Sequence, residues 1–320
     1  MKMRLFATLV ALVVSPALCA QATWPSKPVR IIVPFGAGSF TESAARVIGA
    51  ELHNSLGQPF IIETKGGAGS TIGTDLVAKS APDGYTLLLT DNSFVVSPGL
   101  YSKLPYDPAK DITQVSIVAE APAVIMTRME LPVKSLKELV QMARDKPKTL
   151  TFGSGGQGSS AHLAVELFLS GAGIEMIHVP FKGVAPALLD LVAGRIDVGL
   201  SSVGTAGAHI TAGKVRGLAV AGKERHPLLP DVPTFTEAGF PNYNMIYWFG
   251  VMAPAGTPPA IVDQLHQAIA KAVQTPKVRE AFASRGAIAT SNSPTEFARR
   301  VADETKVWKE VITRAGVKVE

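Results

Sequence analysis

Strand-like and helix-like segments alternate along the chain, and three of the strand-to-helix junctions are rich in glycine. Val29 to Pro34 reads as a strand, followed by a Gly-rich turn and a helix from Thr41 to Leu56, and Phe60 to Glu63 reads as a second strand. The unit recurs with loop 66–70 and helix 71–80, strand Thr86 to Thr90, then strand Leu150 to Phe152 with loop 153–158 and helix 159–170. Helices of this length between short apolar strands imply parallel α/β sheets, because a parallel connection has to cross a face of the sheet.

Two apolar stretches are placed to cross between two such sheets, Ala121 to Thr127 on the way out and Trp248 to Ala253 on the way back. The expected organisation is a leader over 1–22, a discontinuous first lobe over 23–122 and 250–320, and a second lobe over 123–249. The segment from Pro254 onward reads as helices that pack back on the first lobe. Pro258-Pro259 starts one, Pro276 breaks it, and Ser293-Pro294-Thr295-Glu296 caps another.

Lys2 and Arg4 precede a short apolar run, Leu5 to Val14, which ends before Pro16 and a series of small residues. That order is a secretory signal, and the run is well short of the roughly 20 residues a membrane span needs. Cleavage that leaves a mature start between Gln21 and Thr23 places the protein in the periplasm. It also removes Cys19, the single cysteine, so no disulfide is expected. The full chain carries 31 Lys and Arg against 26 Asp and Glu, and loss of Lys2 and Arg4 leaves a net charge of +3. Those charges form no basic block, which argues against nucleic acid as a partner.

Residues 153–158, GSGGQG, match the dinucleotide fingerprint in spacing. The acid that should bind a ribose after the second strand is missing, since Glu175 precedes strand Ile177 to Phe181 and Lys182 follows it. Residues 217–223, GLAVAGK, imitate a phosphate loop but are followed by Glu224, where Ser or Thr must hold magnesium. The Gly-rich loops have a simpler use: each opens a helix whose first amides lack internal partners, and small residues let an anion approach them. Read singly, each loop is an ordinary tight turn. Ser39, Thr41, Ser70, Thr71, Ser154, Gln157, Ser159 and Ser160 together add donors suited to a carboxylate. His162 either donates to a ligand or bonds the facing turn, and Glu42 and Asp91 read as caps or surface residues. No GxSxG, HExxH or paired-histidine spacing points to catalysis or metal.

The chain resembles the solute receptors of tripartite tricarboxylate transporters, the Bug proteins. The matching stretches are VRIIVPFGAGSFTESAARVI (29–48), ETKGGAGSTIG (63–73), PDGYTLLL (82–89), LTFGSGGQGSSAHLAVELF (150–168) and VPFKGVAPALLDLVAGRIDV (179–198), followed by GLAVAGKERHPLLPDVPTFTEAGFPNY (217–243) and YWFGVMAPAGTPPAIV (247–262). The resemblance implies a two-lobed periplasmic binding-protein fold of type II character, with crossing hinge strands, no catalysis and no cofactor. It implies capture of a small carboxylated ligand, aromatic or dicarboxylate, and delivery to membrane transporter subunits by a monomer. Carried over residue by residue, the site takes Phe35, Gly38, Ser39, Phe40 and Thr41 from the first loop and Ser154, Gly155, Gln157, Gly158, Ser159 and His162 from the second lobe. Lys182 and Gly183 complete it. Ser39 and Phe40 replace a second glycine and another small residue of the family pattern, and Glu42 replaces an aspartate. If Phe40 points into the cleft, it and the Tyr247-Trp248 pair offer flat walls to an aromatic or apolar-bodied acid; otherwise all three rings pack into the hinge core. A ligand sensor feeding a membrane signalling partner and a nucleotide-dependent enzyme are the alternative functions.

Overall fold

The computed structural model describes residues 24–315, so the leader expected over 1–22 lies outside the described residues. The chain enters with β1 (Val29–Val33), α1 (Phe40–Leu56), β2 (Phe60–Thr64), α2 (Thr71–Ala78), β3 (Thr86–Asp91) and α3 (Ser93–Leu100), then runs into the long β4 (Ile112–Arg128). A second α/β set follows: α4 (Leu136–Asp145), β5 (Thr151–Ser154), α5 (Ser160–Ala172), β6 (Ile177–Pro180), α6 (Val184–Val192), β7 (Val198–Ser202), α7 (Val203–Thr211) and β8 (Val215–Val220). β9 (Ile246–Pro254), α8 (Pro259–Ala272), α9 (Pro276–Ala283), β10 (Ile288–Ala289) and α10 (Pro294–Ala315) return to the first set.

Two sheets share β4. In the first the order is β2-β1-β3-β9-β4-β10, with β1 parallel to β2 and β3, and β9 antiparallel to β3 and β4. In the second it is β8-β4-β7-β5-β6, with β5 parallel to β6 and β7, and β4 antiparallel to β7 and β8. Ile112 to Pro122 of β4 pair with β9, and Ala123 to Arg128 pair with β7 and β8, so one strand passes from sheet to sheet. Ile246 already lies opposite Pro122, which places Trp248 to Ala253 inside the first sheet rather than between the two.

Burial explains the strand compositions. Every residue of β3, Thr86 to Asp91, is buried, as expected of a central strand covered by helices on both faces. Helix α4 buries Leu136, Leu139, Val140 and Ala143, the 3.6-residue stripe, in the hydrophobic core. The cap read at Ser293 is present: Glu296 N–H donates to Ser293 Oγ at 3.2 Å, and Ser293 N–H donates to Glu296 Oε2 at 2.9 Å. Pro276 starts α9 rather than only ending α8.

Candidate functional site

Three helices begin at the seam between the lobes. Ser39 caps α1, its Oγ accepting from Glu42 N–H at 3.2 Å, while Gly38 N–H donates to Glu42 Oε2 at 2.8 Å. The Gly38 bond, helped by Arg46, holds the Glu42 carboxyl below its usual range, and Glu42 is a cap. Ser159 caps α5 by accepting from His162 N–H at 3.2 Å, and α7 springs directly from β7 with Ser202 at its cap position. The first-turn amides of such helices lack intrahelical acceptors and carry the positive end of the helix dipole.

Between these helix starts lies a narrow cleft of about 30 Å³. Lobe 1 lines it with Phe35, Ser39, Phe40, Thr41, Asp91, Tyr247 and Phe249, and lobe 2 with Ser160, Val184, Ser201, Ser202 and Thr205. Small-molecule pockets run to roughly 300–1,000 Å³, so the cleft is well below that size as the lobes stand. Closure is held by direct bonds across the seam. Phe40 N–H donates to Thr205 Oγ1 at 3.3 Å, Arg285 Nε to Gly204 O at 3.2 Å, Tyr101 OH to Gln157 O at 3.2 Å, and Ser160 N–H to Ser93 Oγ at 2.9 Å. A larger hollow of about 400 Å³, walled by Phe168, Phe240 and Tyr243 of lobe 2 and by Val311 of α10, receives none of these helix starts.

The structure splits the expected site residues into two groups. Phe35, Ser39, Phe40 and Thr41 line the cleft, and the 182–183 turn meets their loop: a Cβ at Gly36 would come within 2.9 Å of Lys182 O, which keeps that position to glycine. Gly38 faces Ala185 across the same seam, but the Lys182 side chain is exposed and does not line the cleft. Ser154, Gly155, Gln157, Gly158 and Ser159 do not line it either. Ser154 Oγ turns inward, donating to Gly156 O at 3.0 Å and lying 2.6 Å from His178 Nε2, and Gln157 and Gly158 pack on Gly69 and Tyr101.

His162 sits beneath this loop instead of in the cleft. It is 4% exposed, its Nδ1 accepts from Gly158 N–H at 3.2 Å, and its ring stacks on His178 with centroids 3.8 Å apart. Burial keeps both rings neutral, lowering His162 to about 3, with His178 adding to the effect, and His178 to about 4. The pair packs beneath the loop, and on its far side Glu166 Oε1 lies 3.7 Å from His162 Nε2.

The rings near the hinge take different roles. Phe40 edges the cleft but is 1% exposed, packed on Phe249 at 4.6 Å and Phe282 at 5.5 Å between centroids. Tyr247 faces the cleft, and its buried hydroxyl has no partner. Trp248 does not form a wall: it points the other way, against Phe297, with Nε1 donating to Glu304 Oε2 at 2.8 Å. Asp91 is a cap and not a surface acid: it accepts from Ser93 N–H, the first amide of α3, at 2.8 Å, lines the cleft and is 8% exposed. Ser201, Ser202 and Thr205, which the sequence reading passed over, complete the donor set.

Among the described residues lining the cleft there is no Lys, Arg or His. The lining offers hydroxyls and helix starts, donors of the kind that solvate an anion, and Asp91 is the one acidic side chain on the wall.

The comparisons with known proteins agree with this geometry. Residues 44–317 match the family described as the tripartite tricarboxylate transporter family receptor. The chain is 38% identical to Protein BugT of Bordetella pertussis over 300 residues, covering 93% of this chain and 92% of that protein. An R. palustris protein solved with adipate superposes with a TM-score of 0.88 at 35% identity, covering 92% of this chain and all of that one (100%). MatC from Rhodopseudomonas palustris, solved with bound malate, gives 0.87 at 34% identity, covering 90% of this chain and 100% of its own. The fold, the seam of helix starts and the matched length lead to one conclusion: the chain belongs to the tripartite tricarboxylate transporter receptor family, the Bug proteins.

Proposed function

We propose that the protein is exported to the periplasm, captures a small aliphatic dicarboxylate between its lobes, and presents the closed complex to membrane transporter subunits as a monomer. The supporting observation is the convergence of the α1, α5 and α7 N-termini, with the hydroxyls of Ser39, Thr41, Ser202 and Thr205, on one cleft that spans both lobes. A ligand that touches both sides favours closure through its differential affinity for the closed form. The lobe limits of the proposal follow the expected 23–122 with 250–320, and 123–249, with one change: β9 pairs with β4 from Ile246 onward, so residues 246–249 go with lobe 1. Adipate and malate in the two R. palustris relatives favour an aliphatic diacid. The rings of Phe35, Tyr247 and Phe249 on the cleft wall support a second reading, an aromatic monocarboxylate.

Thermal unfolding against a panel of succinate, malate, adipate and benzoate, with the corresponding amides as controls, tests the proposal. An acid at 100 times its dissociation constant adds about 2.7 kcal/mol to stability. Equal stabilisation by acid and amide contradicts it.

A further inference from the structure

Asp91 is a carboxylic acid placed where a carboxylate is to bind. It ends the central strand β3, lines the cleft, and is 8% exposed. Its Oδ1 accepts from Ser93 N–H at 2.8 Å, and its Oδ2 lies 3.3 Å from Ser160 Oγ, across the seam in lobe 2. Both neighbours are neutral.

The groups around it supply no compensating charge. From β9, Tyr247 faces it with a buried, unpartnered hydroxyl that burial holds well above the ordinary phenol range, and Tyr243 lies beyond. From α5 come Ser160 and then His162, which is neutral and bonded to Gly158. On the α10 side, the next residue, Asn92, donates to Glu304, itself paired with Arg300. Among the described residues no Lys, Arg or His forms an ion pair with Asp91.

Two carboxylates in one desolvated site repel, and the usual outcome is that one of them keeps a proton. Here burial alone already pushes Asp91 up to about 6, against the hydrogen bonds from Ser93 and Ser160. A bound anion in the same cleft raises it further. Protonation also changes what Asp91 can do. The ionised group only accepts hydrogen bonds, whereas the acid donates one, either to Ser160 Oγ or to a ligand oxygen.

Building on the carboxylate reading above, we infer that Asp91 is a ligand-binding residue that acts as a neutral acid, so that capture of an anionic ligand takes up one proton from solvent. Dicarboxylates are thereby selected over amino acids. An ammonium group would demand the ionised form, whereas malate and adipate do not.

Calorimetry on the mature protein with malate, adipate and L-aspartate tests this. Titration at pH 7.5 in two buffers of different ionisation enthalpy should show uptake approaching one proton per malate or adipate bound. Above pH 7 the dissociation constant should rise about tenfold per pH unit, the slope for one linked proton. Asp91→Asn, a neutral isostere, should bind at pH 7.5 at least as tightly as the parent, with the slope gone. Binding without proton uptake overturns the inference and leaves the carboxylate reading standing. Preference of the parent for L-aspartate over malate, lost in Asp91→Asn, overturns it too, because Asp91 is then an ionised counter-ion. If neither diacid binds at any pH, the dicarboxylate reading falls and takes this inference with it. The proton count on the parent protein does not depend on how well the variant folds.

Discussion

The ring of Phe40 in lobe 1 rests on the backbone of Gly204 in lobe 2, so closely that a Cβ at position 204 would stand 2.6 Å from Phe40 Cδ2. Gly204 lies in the first turn of α7, beside Thr205, whose Oγ1 accepts from Phe40 N–H. Its carbonyl also accepts from Arg285 Nε, so ring, amide and guanidinium of lobe 1 converge on one turn of lobe 2.

Gly204→Ala should therefore hold the lobes apart without unfolding either. Alanine is favoured over glycine inside a helix by about 1 kcal/mol, so global stability should stay level or rise. Ligand affinity should fall at least tenfold, about 1.4 kcal/mol, and small-angle scattering should show a larger radius of gyration in the presence of the best panel acid. Unchanged affinity would mean that the Phe40–Gly204 contact does not control closure.

Phe40→Ala separates a packed ring from a free ligand platform. With Phe249 and Phe282 against it, the ring is part of the lobe 1 core. Its removal should cost about 3–5 kcal/mol in urea unfolding, as Phe→Ala does at buried sites. A loss under about 1 kcal/mol would show that the ring contributes to the cleft alone.

What the sequence reveals is what local rules govern. Apolar runs beside glycine place β1, β3 and β5, and the Ser293-x-x-Glu296 pattern places the start of α10, because caps and periodicity act within a few residues. Asp91 escapes because burial of an acid depends on elements far apart in the chain, here β9 and α5. The N-terminus of α7 escapes because Ser201, Ser202 and Thr205 lack the Gly-rich signature, although the small-and-hydroxyl composition was there to read. Successive residues of a strand face opposite sides, so Tyr247 and Trp248 cannot both line one cleft, and the paired wall expected of them is corrected to Tyr247 alone.

That alternation predicts how the two behave when altered. Trp248→Phe removes the Nε1–Glu304 bond on the α10 side of the sheet. A hydrogen bond to a charged group contributes about 1.5–3 kcal/mol, and the loss should appear in urea unfolding. Affinity for every panel acid should remain within twofold of the parent. Tyr247→Phe, which deletes the unpartnered hydroxyl in the cleft, should leave stability nearly level and weaken binding.

The stacked histidines make stability sensitive to mild acid. Burial lowers His162 to about 3 and His178 to about 4, whereas an unfolded histidine titrates near 6.5. The unfolded chain therefore binds protons first as pH falls. The contribution of the neutral pair is complete above pH 6.5 and is lost between 6.5 and the folded values, by at most about 1.4 kcal/mol per pH unit for each ring. Asp91 acts in the opposite sense: raised to about 6 when folded, it takes its proton before the unfolded chain does and offsets part of the loss between pH 6 and 4. Glu42 and Asp197, both lowered, add their own losses only in the carboxylate range. Urea unfolding of the parent and of His162→Gln/His178→Gln at pH 7.0, 6.0 and 5.0 isolates the pair. The decline with acid should be visibly shallower in the double variant, and parallel curves for the two proteins would show that the rings titrate normally in the folded state.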